Sequence, residues 1–179
     1  MTDPQQFEVF VKSYQNMVFS TAVRLLGNPT EAEDIAQEVF LKAFERFEEL
    51  SVSPTAGGWL KTVTRNLCLN HLSRYRARWQ FFSELERPDE EAGGRHEVLA
   101  TADSPLAELE RADRAERVER ALQALPDHQR VPLVLFHFDG MSYEAIASAL
   151  GVSVGKVKTD IHRGRARLRT ALAVLDESR

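Results

Sequence analysis

The chain has 179 residues, 43% of them hydrophobic and 28% charged, with a formal net charge of -4. That supports one packed domain of ordinary size or two small ones and excludes a disordered chain. Its one cysteine, Cys68, excludes an internal disulfide and a Cys-x-x-Cys zinc pair, and no apolar run is long enough to span a membrane. The first residues show no basic segment leading into an apolar one, so no leader peptide is expected and a reducing cytoplasm fits.

Phe7, Phe10, Val11, Tyr14, Met17, Val18, Ala22 and Leu25 recur at spacings of three and four, which predicts an amphipathic helix stopped by Gly27. Asn28-Pro29-Thr30-Glu31 reads as the next start, with Asn28 as N-cap, Pro29 at the first helical position and Glu31 at the capping-box position. This second helix should bury Ala32, Ile35, Ala36, Val39, Phe40, Ala43 and Phe47. Its other face shows Glu31, Asp34, Gln37, Glu38, Leu41, Lys42 and Glu45. Acids and an exposed leucine suit a protein partner rather than DNA, and a plain solvated face fits the spacing equally well.

Residues 51–58 form a loop by composition, and a third helix is expected from about Trp59, with Leu60, Val63, Leu67 and Leu72 inward. The window 51–83 contains no acid. Lys61, Arg65, Arg74, Arg76 and Arg78 alternate there with Trp59, Tyr75, Trp79, Phe81 and Phe82. Cations can follow a phosphate backbone while rings stack on bases, so the window suits single-stranded nucleic acid; a core helix with buried aromatics is the even alternative. The glycine-rich loop ahead of it would let a flipped base approach the backbone.

Residues 81–105 lack a sustained period, hold Pro88, Gly93, Gly94 and Pro105, and open a strongly acidic stretch, which predicts a flexible acidic linker. Beyond it, Leu109, Val118, Ala121, Leu122 and Leu125 predict a helix ending at Pro126. Asp127 is the expected cap of the next helix, which should reach Phe138, kink near Pro132 and stop at Asp139-Gly140. Ser142 caps a short helix, Gly151 turns the chain, and Ser153 caps the last long helix. No strand signal competes, so the fold class is all-α.

The last two helices carry the chemistry. Ile146, Ala147 and Leu150 on one, and Val157, Ile161 and Leu168 on the other, face inward around a glycine turn, which is helix-turn-helix spacing. Lys156, Lys158, Thr159, His162 and Arg163 then point outward, where long cations reach phosphates or guanine edges. A solvated basic helix is the alternative. His71, His96, His128, His137 and His162 show no metal-ligand spacing, and there is no Gly-x-Ser-x-Gly or phosphate loop. No catalytic residue, metal or cofactor is therefore expected, and Cys68 reads as a small core residue.

Three segments in order, NPTEAEDIAQEVFLKAF, WLKTVTRNLCLNHLSRYR and LQALPDHQRVPLVLFHFDGMSYEAIASALGVSVGKVKTDIHRGRARLR, resemble the extracytoplasmic-function sigma factors of bacterial RNA polymerase. The resemblance implies two small helical domains, region 2 at 1–80 and region 4 at 106–179, joined by the linker at 81–105. It implies that Asp34, Gln37, Glu38 and Leu41 dock on the clamp helices of the polymerase β′ subunit. Lys61, Arg65, Asn66, Arg74 and Arg76 would capture the non-template strand of the minus-ten element. Ser153, Lys156, Lys158, Thr159, His162, Arg163 and Arg167 would contact the minus-thirty-five element, and the other side of region 4 would meet the β flap. Promoter DNA, core polymerase and an anti-sigma factor are the implied partners.

Three positions depart from the family's usual recognition helix: Lys156 stands in place of Thr, Asp160 in place of a cation and Gly164 in place of Ala. An acid at Asp160 should repel phosphate or accept from a cytosine amine. A self-sufficient helix-turn-helix repressor or activator is the rival reading, and it would need a dimer interface.

Overall fold

The computed structural model describes residues 3–73 and 105–177, with the side chains of 105–107 excepted. The expected linker, Arg74, Arg76, Arg78, His96 and the aromatics from Tyr75 to Phe82 lie outside the described residues. Those described form eight helices and no strand.

Helix α1 spans Pro4–Leu26, and Gly27 ends it in the left-handed region at φ 66°. Helix α2 spans Pro29–Glu45. Asn28 caps it, its Oδ1 accepting from Thr30 N at 3.0 Å and Glu31 N at 3.3 Å. Glu31 does not complete a capping box; its carboxylate turns to His71 Nε2 at 3.4 Å. The expected second helix breaks at Arg46, so Phe47 opens a separate turn, α3, Phe47–Leu50. Helix α4, Ala56–Leu72, starts ahead of Trp59 and takes in both glycines of the predicted loop.

In the N-terminal half α1 packs on α2 and α4. Val18, Ala22, Leu25, Val39 and Leu60 are buried between them. Phe7, Phe10, Phe44 and Phe47 form an edge-to-face cluster at the far end, with ring centroids 5.0–5.4 Å apart where Phe7 meets Phe44 and Phe47 and where Phe10 meets Phe47. On α4 the buried row is Leu60, Thr64, Cys68 and Leu72. Val63 and Leu67 are only half-buried. Thr64 is tolerated inside because its hydroxyl donates to Leu60 O at 2.7 Å.

The C-terminal half comprises α5 (Pro105–Gln123), α6 (Asp127–His137), α7 (Tyr143–Leu150) and α8 (Val154–Glu177). Ala121, Leu122 and Leu125 are buried as expected, whereas Leu109 is exposed. Asp127 is not the cap of α6. It is the first helical residue, and its carboxylate accepts from Arg130 Nη2 at 2.5 Å. Helix α6 continues through buried Pro132 and runs along α8. A Cβ on Gly164 would lie 3.2 Å from Gln129 O, so the absent side chain lets α8 approach α6 closely.

The two halves touch. Helix α6 lies against α1, and one continuous apolar core runs through both. At the centre of the contact is Arg130, only 3% exposed. Its guanidinium donates to Arg24 O at 3.1 Å and Leu25 O at 3.3 Å in α1, and to Leu125 O at 2.9 Å. A buried cation thus meets the last carbonyls of α1, where the helix dipole is negative.

Candidate polymerase and promoter interfaces

Helix α7 and helix α8 form the helix-turn-helix. Ser142 Oγ accepts from Ala145 N at 3.1 Å, Gly151 turns at φ 67°, and Ser153 Oγ accepts from Lys156 N at 3.2 Å. Ser153, expected on DNA, is therefore a helix cap, though it stays exposed beside the groove-facing end. Ile146, Ala147, Leu150, Val157 and Ile161 are buried, which fixes the outward face of α8. Lys158 is exposed and lies 5.6 Å from the Tyr143 ring; Thr159 and His162 are half-buried beside it. Arg163 is half-buried and Arg167 is exposed.

Two expectations change here. Asp160 does not face a groove; it is buried one turn after Lys156 and forms an ion pair with it. Lys156 is drawn inward by the same pair, its side chain 15% exposed. Sequence spacing could not show this, because the i, i+4 relation fits an exposed pair as well as a buried one.

Helix α4 presents Lys61 and Arg65, both half-buried, and Asn66, exposed. Lys61 Nζ donates to Phe138 O at 3.0 Å and lies 3.5 Å from Asp139 Oδ1. Trp59 is half-buried, with the Arg46 guanidinium 5.8 Å from its ring centroid. Gly57 serves packing, since a Cβ there would lie 3.2 Å from the Tyr14 ring, whereas a Cβ on Gly58 would meet open space. Cys68 is fully buried; burial first, and the Asp139 charge second, push its thiol pKa up from 9.0 to about 12. A thiol held protonated in this way is no nucleophile.

On α2, Asp34, Gln37, Glu38 and Leu41 are all exposed. Leu41 is 67% exposed, and Phe44 extends the same stripe at 48%. Phe44 was missed by pattern alone, although its position three residues after Leu41 is the signal that would have found it. Behind α5, α6 and α8 lies an apolar groove lined by Val118, Leu122, Leu133, Phe138, Leu168 and Leu172, with Arg165 and Arg169 at its edge. Arg165 turns toward α6, its Nε donating to His137 Nε2 at 3.1 Å. Among the described residues no group of three His, Cys, Asp or Glu could hold a metal ion, and no helix is long and apolar enough to cross a membrane.

A family model for sigma-70 region 2 matches residues 10–78, and one for sigma-70 region 4 matches residues 115–168. The chain is similar to the RNA polymerase sigma-H factor of Pseudomonas aeruginosa, 31% identical over 173 residues, which is 97% of this chain and 89% of the relative. The chain belongs to the extracytoplasmic-function sigma factors of the sigma-70 family. It is also similar to the RNA polymerase sigma-E factor of Streptomyces coelicolor, 32% identical over 178 residues, covering 98% of this sigma factor and 91% of that one. A solved structure of the sigma factor RpoE with the anti-sigma factor NepR from Bartonella quintana aligns over 94% of this chain and 97% of that chain, with 22% identity and a TM-score of 0.47. Membership in this family displaces the reading as a self-sufficient repressor or activator.

Proposed function

We propose that this sigma factor docks on core RNA polymerase through α2 and reads two promoter elements through α4 and α8. The stripe Asp34, Gln37, Glu38, Leu41 and Phe44 carries the docking assignment. Two large apolar side chains stand open among polar ones on a helix whose opposite face is core. That composition fits a protein interface with an apolar centre and a polar rim. The partner surface is the β′ clamp helices.

Helix α4 supplies Lys61, Arg65 and Asn66 to the non-template strand of the minus-ten element. Arg74 and Arg76 follow directly in sequence and extend the cationic run. Helix α8 supplies Lys158, Thr159, His162, Arg163 and Arg167 to the minus-thirty-five element, and Ser153 orients the helix end that enters the groove. The β flap takes the apolar groove of α5, α6 and α8. The protein performs no chemistry of its own. It confers specificity on the polymerase, which holds both readers at one spacing and so raises the effective concentration of the second contact. An anti-sigma factor would compete for the same α2 and groove surfaces.

The test is co-elution of the purified protein with bacterial core polymerase, followed by run-off transcription on genomic DNA. The parent should co-elute and produce discrete transcripts. Asp34→Arg and Leu41→Asp, both at exposed positions, should lose co-elution while retaining the parent's helical signal. Unchanged co-elution by both variants would reject the α2 docking face.

A further inference from the structure

Two lysines stand near the start of α8, and the fold holds them differently. Lys156 pairs with the buried Asp160 carboxylate. Lys158 is exposed, and its Nζ stands over the Tyr143 ring, 5.6 Å from the centroid. Tyr143 is the first residue of α7, directly after the Ser142 cap. Its ring lies against Phe136 of α6, with centroids 4.8 Å apart and 4° between the planes. Phe136 packs on the core, and the Arg165 guanidinium of α8 stands 5.5 Å from its centroid. The Tyr143 ring therefore has little freedom, because three helices contribute to the stack that holds it.

The kind of partner matters for a lysine that must meet an anion. A carboxylate neutralises the ammonium and competes with phosphate. A ring attracts the ammonium through its quadrupole and leaves its charge and its three N–H donors in place. We propose that Tyr143 is a positioning residue for upstream-element recognition: its ring, fixed by Phe136, holds the Lys158 ammonium at the groove-facing end of α8. The proposal rests on the reading of α8 as the helix that enters the major groove.

Tyr143 acts through Lys158 and not on DNA. A lysine's flexible four-carbon stem loses conformational entropy when a ligand fixes it. Holding Lys158 in advance lowers that cost, so the ring contributes to affinity without adding a hydrogen bond of its own. The contact can persist on DNA, since Lys158 is exposed while it stands over the ring. The π face carries the role rather than the hydroxyl, so phenylalanine should serve as well as tyrosine.

The test measures anisotropy of a fluorescein-labelled promoter duplex, taken from the run-off transcription, with the assembled polymerase complex. Tyr143→Leu keeps a large apolar side chain and removes the π face. It should bind about threefold more weakly than the parent, the factor that an exposed contact between a cation and a ring supplies. Tyr143→Phe should match the parent. Lys158→Met should weaken binding, and adding Tyr143→Leu to it should cost nothing further. Parent-like or tighter binding by Tyr143→Leu would overturn the proposal. The same threefold loss from Tyr143→Leu in the Lys158→Met background would overturn it too, as the mark of a packing role. So would a loss from Tyr143→Phe equal to that from Tyr143→Leu, as the mark of a hydroxyl on DNA. Arg163→Ala separates the proposal from the reading of α8. If Arg163→Ala and Lys158→Met weaken binding while Tyr143→Leu does not, α8 still reads the groove and the positioning alone falls. If neither Arg163→Ala nor Lys158→Met changes binding, the α8 reading fails and the positioning with it.

Discussion

Gly27 offers the clearest test of how the two halves are joined. Its φ of 66° lies in the left-handed region, and a Cβ there would come within 2.7 Å of the Arg130 Cζ and Nη2. Gly27→Ala therefore has two costs. Left-handed alanine costs about 1–2 kcal/mol. The Arg130 guanidinium must also move, and it cannot swing into water cheaply because it is buried and bonded to three carbonyls and Asp127. Losing its two charge-assisted bonds to α1 costs about 2–3 kcal/mol more. The sum, about 3–5 kcal/mol, is a large share of the roughly 5–15 kcal/mol of a folded domain. Gly140→Ala isolates the first cost, because its φ is 63° and nothing lies within 4 Å of the added Cβ. Urea unfolding of the parent and both variants, with slopes compared, measures the difference. Equal losses from the two substitutions would refute the account of Arg130 as a fixed cap on α1.

Lys156→Met should destabilise by about 3 kcal/mol in the same assay, since it strips an ion-pair partner from the buried Asp160; a neutral result would mean the pair is exposed in solution. On a minus-thirty-five duplex, Lys158→Ala should lower the salt dependence of binding by about one phosphate contact while Lys156→Met leaves it unchanged. Equal slopes for both variants would return Lys156 to the groove. Cys68 should resist thiol reagents at neutral pH until the protein unfolds, because its thiol stays protonated up to about 12. A thiol pKa raised by folding contributes stability that is fully present below the unfolded value of 9.0 and lost as pH rises toward about 12. Alkaline unfolding should therefore be shallower for Cys68→Ala than for the parent across that window, and identical profiles would contradict the shift.

The sequence by itself determined the local structure and the family. Caps at Asn28, Ser142 and Ser153, stops at Gly27, Gly140 and Gly151, and the apolar period all act within a few residues, so they are legible in order. The exposed stripe on α2 and the buried faces of α7 and α8 follow from the same period. The errors fell where neighbours outside the window decide. Leu109 is exposed although it falls on the apolar period, and Asp160 turned out to be interior although its letter reads as surface. Only the tertiary structure decided that the halves close on each other. Arg24 meets Glu119 at a separation of 95 residues, Arg130 meets the carbonyl of Arg24 across 106, and Lys61 meets that of Phe138 across 77. A charged residue's local sequence carries no record of which distant opposite charge or carbonyl will desolvate it. That choice is made by packing α6 on α1, and it assigns Arg130 to a helix end and Lys61 to Asp139.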